Sequence, residues 1–136
     1  MKLAYLPHYG GVLKPFVEVV ILGQRPFPTR ALVDSGADYC LFDLSLAQAA
    51  GIAVDLTSPR PLRGLGGSIQ AYPGELTIEV ARRRVLLRSL FAQDFSPNLL
   101  GRDNFFHHFR VGFDELNHEL ELRYRRKRPA TASPAL

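Results

Sequence analysis

A carboxylate follows directly on an apolar run about a quarter of the way along the chain. The run 31–33 (Ala-Leu-Val) is typical of a buried strand, and Asp34, Ser35 and Gly36 come straight after it. A charge at the end of a buried strand costs free energy unless another group pairs with it. Asp34 is therefore a candidate for acid–base chemistry, and the group that pairs with it has to be found elsewhere.

Ser35, beside this acid, raises the alternative of a nucleophilic hydrolase. No Gly-x-Ser-x-Gly elbow surrounds Ser35, and the histidines are not arranged as triad partners. Cys40, the one cysteine, fits a small packing residue better than a thiol nucleophile. The adjacent His107 and His108 lack the spacing of a metal site. We therefore expect a site that uses neither a metal nor an organic cofactor.

Two further segments have specific local chemistry. Residues 64–67 (Gly-Leu-Gly-Gly) lie between two extended arms, a pattern that predicts a β-hairpin with a glycine-rich tip. Residues 98–103 (Asn-Leu-Leu-Gly-Arg-Asp) predict a strand end followed by a short helix. The tip does not fit a phosphate-binding loop, because the lysine and the helix that such a loop needs are missing.

The three segments, in this order and at these separations, resemble the retropepsins, which are the retroviral-type aspartic proteases and their cellular relatives. That family carries an Asp-Thr/Ser-Gly-Ala loop, a glycine-rich flap and a later apolar-apolar-Gly-Arg-Asp/Asn segment. The resemblance spans roughly residues 16–109. The helical pattern after the Asp-Ser-Gly-Ala loop is closer to cellular and bacterial members than to compact viral enzymes. Residues 114–124 do not resemble the viral carboxy-terminal dimer strand.

The resemblance implies an aspartic endopeptidase, in which two carboxylates share one proton. Like charges ~3 Å apart cannot both ionise, so one acid takes a proton from water while the protonated acid polarises the scissile carbonyl. This chain has one Asp-Ser-Gly-Ala loop and no internal repeat. The partner of Asp34 is then the Asp34 of a second copy, and we expect a symmetric homodimer that acts on a peptide or protein substrate.

The resemblance also implies roles for the neighbouring residues. Ser35 would hydrogen-bond across the two-fold axis, and Gly36 would let substrate or the second loop approach the backbone. Asp38 would contact substrate main chain and pair with Arg102, and Arg102 and Asp103 would support the loop. The other predicted substrate contacts come from the loop, the hairpin and the later apolar pair: Ala37, Gly64, Leu65, Gly66, Gly67, Ile69, Leu99 and Leu100.

The elements that must position these residues are mostly strands. The predicted class is mainly β: a single closed β-barrel of the retroviral-type acid protease fold, with two short helices and a flap hairpin. Residues 15–23 predict a strand, and the two prolines in 24–29 predict a turn before the next strand. Asp43 is placed to cap a helix that Gly51 ends. A closing hairpin is expected around Asn117.

Length and charge divide the chain into a domain and a tail. The 136 residues, of which 46% are hydrophobic, are typical of one domain, predicted for residues 1–124. Residues 125–136 are predicted to be a basic, disordered tail. The net charge of +4 comes largely from two basic runs, 81–84 and 123–128, so it says little about the function of the domain, for which we expect no nucleic-acid partner. The role of the tail stays open between a solvated extension, contact with nucleic acid or an anionic membrane, and removal by self-cleavage.

The surroundings of the protein are predicted from three simple observations. A single cysteine excludes an internal disulfide and fits a reducing compartment. The first residues lack a secretory signal pattern, and no run approaches the ~18 apolar residues of a membrane span. We expect a cytoplasmic protein. A non-catalytic dimerisation or peptide-binding module with the same fold is the alternative to an enzyme.

Overall fold

The computed structural model describes residues 1–64 and 66–126. Leu65, a predicted substrate contact, and residues 127–136 of the predicted tail lie outside the described residues. The elements, in chain order, are β1 (Lys2–Ala4), β2 (Leu6–Pro7), a 3₁₀ turn (Tyr9–Gly11), β3 (Leu13–Lys14), β4 (Phe16–Leu22), β5 (Pro26–Val33), β6 (Cys40–Asp43), α1 (Leu44–Ala50), β7 (Arg60–Gly64), β8 (Gly67–Val80), β9 (Arg83–Ala92), β10 (Leu99–Leu100), α2 (Phe105–His108), β11 (Phe109–Asp114) and β12 (Glu119–Tyr124).

Seven strands form the main sheet, in the order β4-β5-β10-β6-β9-β8-β7. Strand β4 also pairs with β8, so six of the strands form a ring of pairings. The two-residue strand β10 lies between β5, to which it is parallel, and β6, to which it is antiparallel. The predicted mainly-β class with two short helices is confirmed.

The hydrophobic core is formed by the apolar side chains that alternate along the strands. In β4, Val17, Val19 and Ile21 are buried while Glu18 between them is exposed, as the alternation of strand side chains requires. The largest fully buried side chains are aromatic, and Phe42 and Phe91 lie with their ring centroids 6.4 Å apart. Burial of each such side chain contributes about 1.5–3 kcal/mol to folding.

Helix α1 begins and ends where the sequence predicts. The Asp43 carboxylate accepts a hydrogen bond from Ser45 N at 3.1 Å, which satisfies one of the free amides of the first turn. Gly51 ends the helix in the left-handed region, with φ of 73°. Ala47 and Ala50 are buried against the sheet.

The turn predicted for residues 24–29 is shorter than expected, because β5 already begins at Pro26. At Pro26 and Pro28 this strand pairs with β4 on one side, and its pairing with β10 begins only at Leu32. Proline lacks an N–H but is tolerated where that side of a strand has no partner. The two prolines therefore extend the strand instead of breaking it.

The two ends of the chain form a second, three-stranded sheet in the order β1-β12-β11. Leu3 lies opposite Leu120, and the pairing continues to Met1, whose carbonyl accepts from Leu122 N at 2.9 Å. The predicted closing hairpin is confirmed: Asn117 donates to Asp114, and these hydrogen bonds lower the pKa of the Asp114 carboxyl. Strand β12 ends at Tyr124, the last residue of the predicted domain.

The two basic runs meet in the structure. The guanidinium of Arg83, next to the β8–β9 turn, lies 4.6 Å from the ring centroid of Tyr124. Within residues 1–64 and 66–126, no helix is long and apolar enough to cross a membrane. Cys40 is free and buried. The cytoplasmic location that was expected partly from the single cysteine stays a prediction.

Candidate active site

Asp34 lies directly after β5, where the chain leaves the sheet. Its backbone N–H donates to Leu100 O at 3.1 Å, which continues the pairing of β5 with β10. Its carboxylate Oδ1 accepts from Gly36 N at 2.8 Å, and its carbonyl accepts from Ala37 N at 3.3 Å. The main chain of the turn therefore holds the carboxylate in one orientation, half-buried at the surface.

Gly36 lies in this turn at a position where a side chain would crowd the carboxylate of Asp34. A Cβ at this position would lie 3.2 Å from Oδ1 of Asp34. Ser35 and Gly36 themselves are exposed, and so accessible to a substrate or a second chain. That Gly36 lets a substrate or the second loop approach the backbone stays a prediction.

The loop after Asp34 is joined to residues 100–103 by main-chain hydrogen bonds. Arg102 N donates to Ala37 O at 2.9 Å, and Asp103 N donates to Asp38 O at 2.8 Å. Cys40 N returns a bond to Asp103 O at 3.3 Å. Two of the three segments singled out in the sequence are thus held together as one unit by backbone groups.

Gly101 lies at the centre of this unit and has no room for a side chain. A Cβ there would overlap the carbonyl of Tyr39 and come within 2.9 Å of Ala37 O. Both atoms belong to main chain that is itself hydrogen-bonded, so neither can move cheaply. This explains why the later motif needs glycine between its apolar pair and its arginine.

Gly101→Ala is expected to lower the free energy of unfolding by about 3 kcal/mol, because the new methyl group displaces the backbone of the loop. Urea unfolding followed by circular dichroism measures the change. Gly112→Ala on β11 is the matched control, since a Cβ there meets Glu121 Cβ at an ordinary 3.7 Å. Equal stability of the two variants would contradict the tight fit around Gly101.

The expected ion pair between Asp38 and Arg102 is not formed. Among the described residues, the ion pairs include neither side chain, although both line one surface cavity. Asp103 instead pairs with Arg88, whose Nη2 lies 2.7 Å from Oδ1. The main-chain bonds described above hold the loop, and the Arg102 side chain is left exposed.

Two supporting residues were not predicted as part of the site. Asn98 donates to Arg30 O at 3.0 Å and accepts from Asp43 N at 3.0 Å, so it ties β5 to the start of α1. Both the backbone and the side chain of Arg88 are hydrogen-bonded. Its backbone N–H donates to the side-chain oxygen of Asn104 at 2.8 Å, and its guanidinium donates to the carboxylate of Asp103. Asn98 stands in the predicted 98–103 segment, but Arg88 has no distinguishing sequence signal on its strand.

A cavity of about 590 Å³ lies between the loop and the β7–β8 hairpin, within the size range of ligand pockets. It brings Gly36 of the predicted catalytic loop together with most of the predicted substrate contacts: Ala37, Asp38, Gly64, Gly66, Gly67, Ile69 and Leu99. Its other walls, which were not predicted, are Tyr39, Leu41, Pro61, Leu62, Arg63 and Phe95. The cavity therefore joins the loop to the glycine-tipped hairpin, two segments that are well separated in the sequence.

Among the described residues that were predicted as catalytic or as substrate contacts, three lie outside the cavity. Leu100 is fully buried in the core, so it supports the loop from below instead of lining the cavity. Asp34 and Ser35 are not among the residues that line the cavity; they adjoin it through Gly36. In one copy of the chain, the acid thus stands at the border of the cavity.

The predicted glycine-tipped hairpin is confirmed as a structural element. Strand β7 pairs with the first residues of β8, from Arg60 opposite Ala71 to Gly64 opposite Gly67. Gly67 has φ of +112°, a conformation that side chains rarely allow, and added Cβ atoms at Gly64 and Gly66 would meet nothing within 4 Å. The described part of the tip is thus exposed and unpacked in a single chain.

Cys40 is a buried packing residue, as the sequence suggests. The side chain is fully buried beneath the loop, and its Sγ donates to Gly101 O at 3.9 Å. Burial raises the pKa of the thiol, so it stays protonated and unreactive at neutral pH.

Comparisons with known proteins agree with this geometry. A family model described as aspartyl protease matches residues 17–103, a stretch that contains the Asp34 loop, the hairpin and the later motif. The structure is similar to that of EIAV protease complexed with the inhibitor HBY-793, with a TM-score of 0.55 and 24% sequence identity, over 71% of this chain and 88% of that chain. No curated protein matches the sequence. The chain therefore belongs to the aspartyl protease family, and its fold is similar to that of a retroviral protease.

Proposed function

We propose that the protein is a homodimeric endopeptidase whose active site forms between two copies of Asp34. The observation that carries the proposal is the position of Asp34: one acid per chain, held by Gly36 N at 2.8 Å, at the border of a cavity instead of inside it. Such an arrangement is half of a site. A second copy related by a two-fold axis supplies the other carboxylate and the other half of the cleft.

The chemistry follows from two carboxylates that share a proton. The ionised Asp34 takes a proton from a water molecule, whose oxygen attacks the scissile carbonyl carbon, while the protonated Asp34 of the second copy donates to the carbonyl oxygen. The tetrahedral intermediate then collapses: the C–N bond breaks, the first Asp34 gives the proton it took from water to the amine nitrogen, and a hydroxyl of the intermediate returns a proton to the second Asp34. Titration belongs to the pair and not to one residue. Ser35, exposed beside the acid, is proposed to hydrogen-bond across the two-fold axis.

The β7–β8 hairpin is proposed to be a flap that closes over the substrate. Its described glycines line the same cavity as Ala37 and Asp38, where closure would exclude water from the reacting bond. Leu62, Ile69 and Leu99 would favour apolar side chains next to the cleaved bond. The ring of strand pairings supports the closed barrel expected from the sequence.

Cleavage of a denatured protein substrate is expected to be fastest at mildly acidic pH, because the pair must hold one proton between its two carboxylates. A transition-state-mimicking inhibitor of aspartic proteases should block it. The measurement is the initial rate across pH, with and without the inhibitor, at several enzyme concentrations. Because the site is assembled from two chains, the rate per mole of enzyme should fall on dilution.

A different result would separate the alternatives. A dimer that binds unfolded peptides but never cleaves them, at any pH, would favour the non-catalytic binding module. A monomer that cleaves with the same specific activity at every concentration would contradict the shared site.

A further inference from the structure

We propose that arginines around the end of β12 bind the phosphate backbone of a nucleic acid. This surface, the basic patch, consists of Arg83, Arg110, Arg123, Arg125 and Arg126, all of which are exposed. In the sequence the basic runs are separate, and no nucleic-acid partner was expected. In the structure three chain segments meet at one place, so the inference replaces that expectation. It goes beyond the proposed function and depends neither on the dimer nor on cleavage.

The first two segments meet at Tyr124, the last residue of β12. The guanidinium of Arg83, at the start of β9, lies 4.6 Å from the centroid of the Tyr124 ring. Arg125 follows in the chain, and its N–H donates to His108 O at 2.7 Å, which fixes the backbone just beyond the strand. Residues some forty positions apart in the sequence therefore present their charges side by side.

The third segment is β11, which places Arg110 directly opposite Arg123. Directly opposed side chains of antiparallel strands lie on the same face with Cβ atoms about 5 Å apart, and like charges in this arrangement destabilise the sheet. Arg123 lies 3.2 Å from the carboxylate of Glu121, whereas Arg110 has no ion pair among the described residues. An anion bound between the two guanidinium groups would remove this repulsion.

The basic patch is poorly neutralised by the chain itself. Within residues 1–64 and 66–126, four of its five arginines take part in no ion pair: Arg83, Arg110, Arg125 and Arg126. A surface with such an excess of one sign attracts polyanions. Nucleic acid has a dense row of phosphates, and its binding gains free energy from the counterions that the phosphates release.

The composition of the patch favours a nucleic acid over an anionic membrane. All five cationic residues are arginine, whose planar guanidinium forms paired hydrogen bonds to a phosphate group. Stable membrane contact commonly adds apolar side chains that enter the lipid. Among the described residues, none of the exposed large apolar side chains belongs to 82–84, 108–110 or 123–126. Contacts to phosphates alone carry no sequence information, so we expect binding without sequence preference.

The patch is separate from the cleft. Among the described residues that line the 590 Å³ cavity beside the Asp34 loop, none is one of the five arginines. A nucleic acid held by the patch therefore leaves the cavity open to a short peptide. The patch would keep the enzyme at a nucleic acid while its cleft stays accessible.

The test compares two double variants that remove the same charge. Arg110→Gln with Arg125→Gln changes the patch, and Lys14→Gln with Arg25→Gln changes two exposed positions outside it. Fluorescence anisotropy gives the dissociation constant for a labelled single-stranded DNA of about 20 nucleotides, between about 50 and 200 mM salt.

The unmodified protein is expected to bind this DNA with an affinity that falls steeply as salt rises. The patch variant should bind at least about tenfold more weakly at about 50 mM salt. The slope of its logarithmic salt dependence should be lower by about 1.4, because each phosphate contact on a single strand contributes about 0.7. The control variant should bind as the unmodified protein does.

Three results would overturn the inference: no binding by the unmodified protein at low salt, equal weakening in both double variants, or retention on vesicles of anionic phospholipid without binding to the DNA. Should the patch variant fail to fold by circular dichroism, Arg126→Gln replaces it, and an unchanged salt slope for that variant overturns the inference equally. A protein that binds the DNA through the patch but cleaves no peptide would overturn the proposed function and leave this inference standing.

Discussion

An Asp34→Asn variant is expected to cleave peptides about 10⁴-fold more slowly than the unmodified protein, the upper end of what one acid–base group contributes. The amide can neither take a proton from water nor share one with a second acid. Its oxygen can still accept the hydrogen bond from Gly36 N, and its size is nearly unchanged, so the turn should keep its shape. The measurement is kcat/KM at the optimal pH, with thermal unfolding to show that the fold is retained.

Asp94→Asn is a suitable control for this variant. Asp94 is exposed and has φ of 54°, a conformation that asparagine adopts readily, so the same chemical change there should leave both fold and rate nearly unaffected. Cleavage by Asp34→Asn at the rate of the control would remove Asp34 from the mechanism. Loss of activity in both variants would point to a general effect of lost negative charge.

Mixing chains is expected to show that each active site contains two of them. When roughly nine parts of Asp34→Asn chain are refolded together with one part of unmodified chain, random pairing leaves about one-tenth of the unmodified chains with an unmodified partner. The activity per unmodified chain should therefore fall to about one-tenth of that of unmodified chains refolded alone at the same total protein concentration. The initial rate of peptide cleavage measures this.

The reference for the mixture is the same pair of proteins combined without refolding and assayed at once, before subunits exchange. That sample should keep its activity. A refolded mixture that also keeps full activity would mean that every chain works alone, and the shared-proton mechanism would not apply.

The parts of the site that residue types encode were predictable from the sequence. An apolar run followed by an acid predicts a strand that ends at a surface charge, and Asp34 lies there. Asp43 and Gly51 have side-chain and backbone preferences that mark the two ends of α1, and both act as predicted. The glycines of 64–67 predict the turn between β7 and β8 in the same way. Each of these depends on local chemistry within a few residues.

The support of the catalytic loop was predicted only in part. The resemblance implied a side-chain pair between Asp38 and Arg102, whereas the loop is held by backbone bonds to Ala37 O and Asp38 O. Main-chain groups are the same in every residue, so such bonds leave no trace in residue type. Gly101 carries the one visible sign of them, since the close approach of the two segments excludes a side chain.

The long-range pairings were beyond sequence reasoning. Pro26 and Pro28 predict a turn by their own preferences, and only the absence of a neighbour on one side of β5 makes a strand possible there. The pairing of β1 with β12 joins residues more than a hundred positions apart, and its three residues have too short a pattern to indicate a partner. Packing across the whole chain decides both features.

The sheet that joins the two ends of the chain also has a consequence for biosynthesis. Translation delivers β1 more than a hundred residues before its neighbour β12, so β1 leaves the ribosome well before the residues that pair with it exist. The ring of strands from β4 to β10 can be complete by then, but the edge of β1 stays unpaired until β12 has been synthesised. The second sheet therefore forms after the main sheet, and its assembly waits for the later strand.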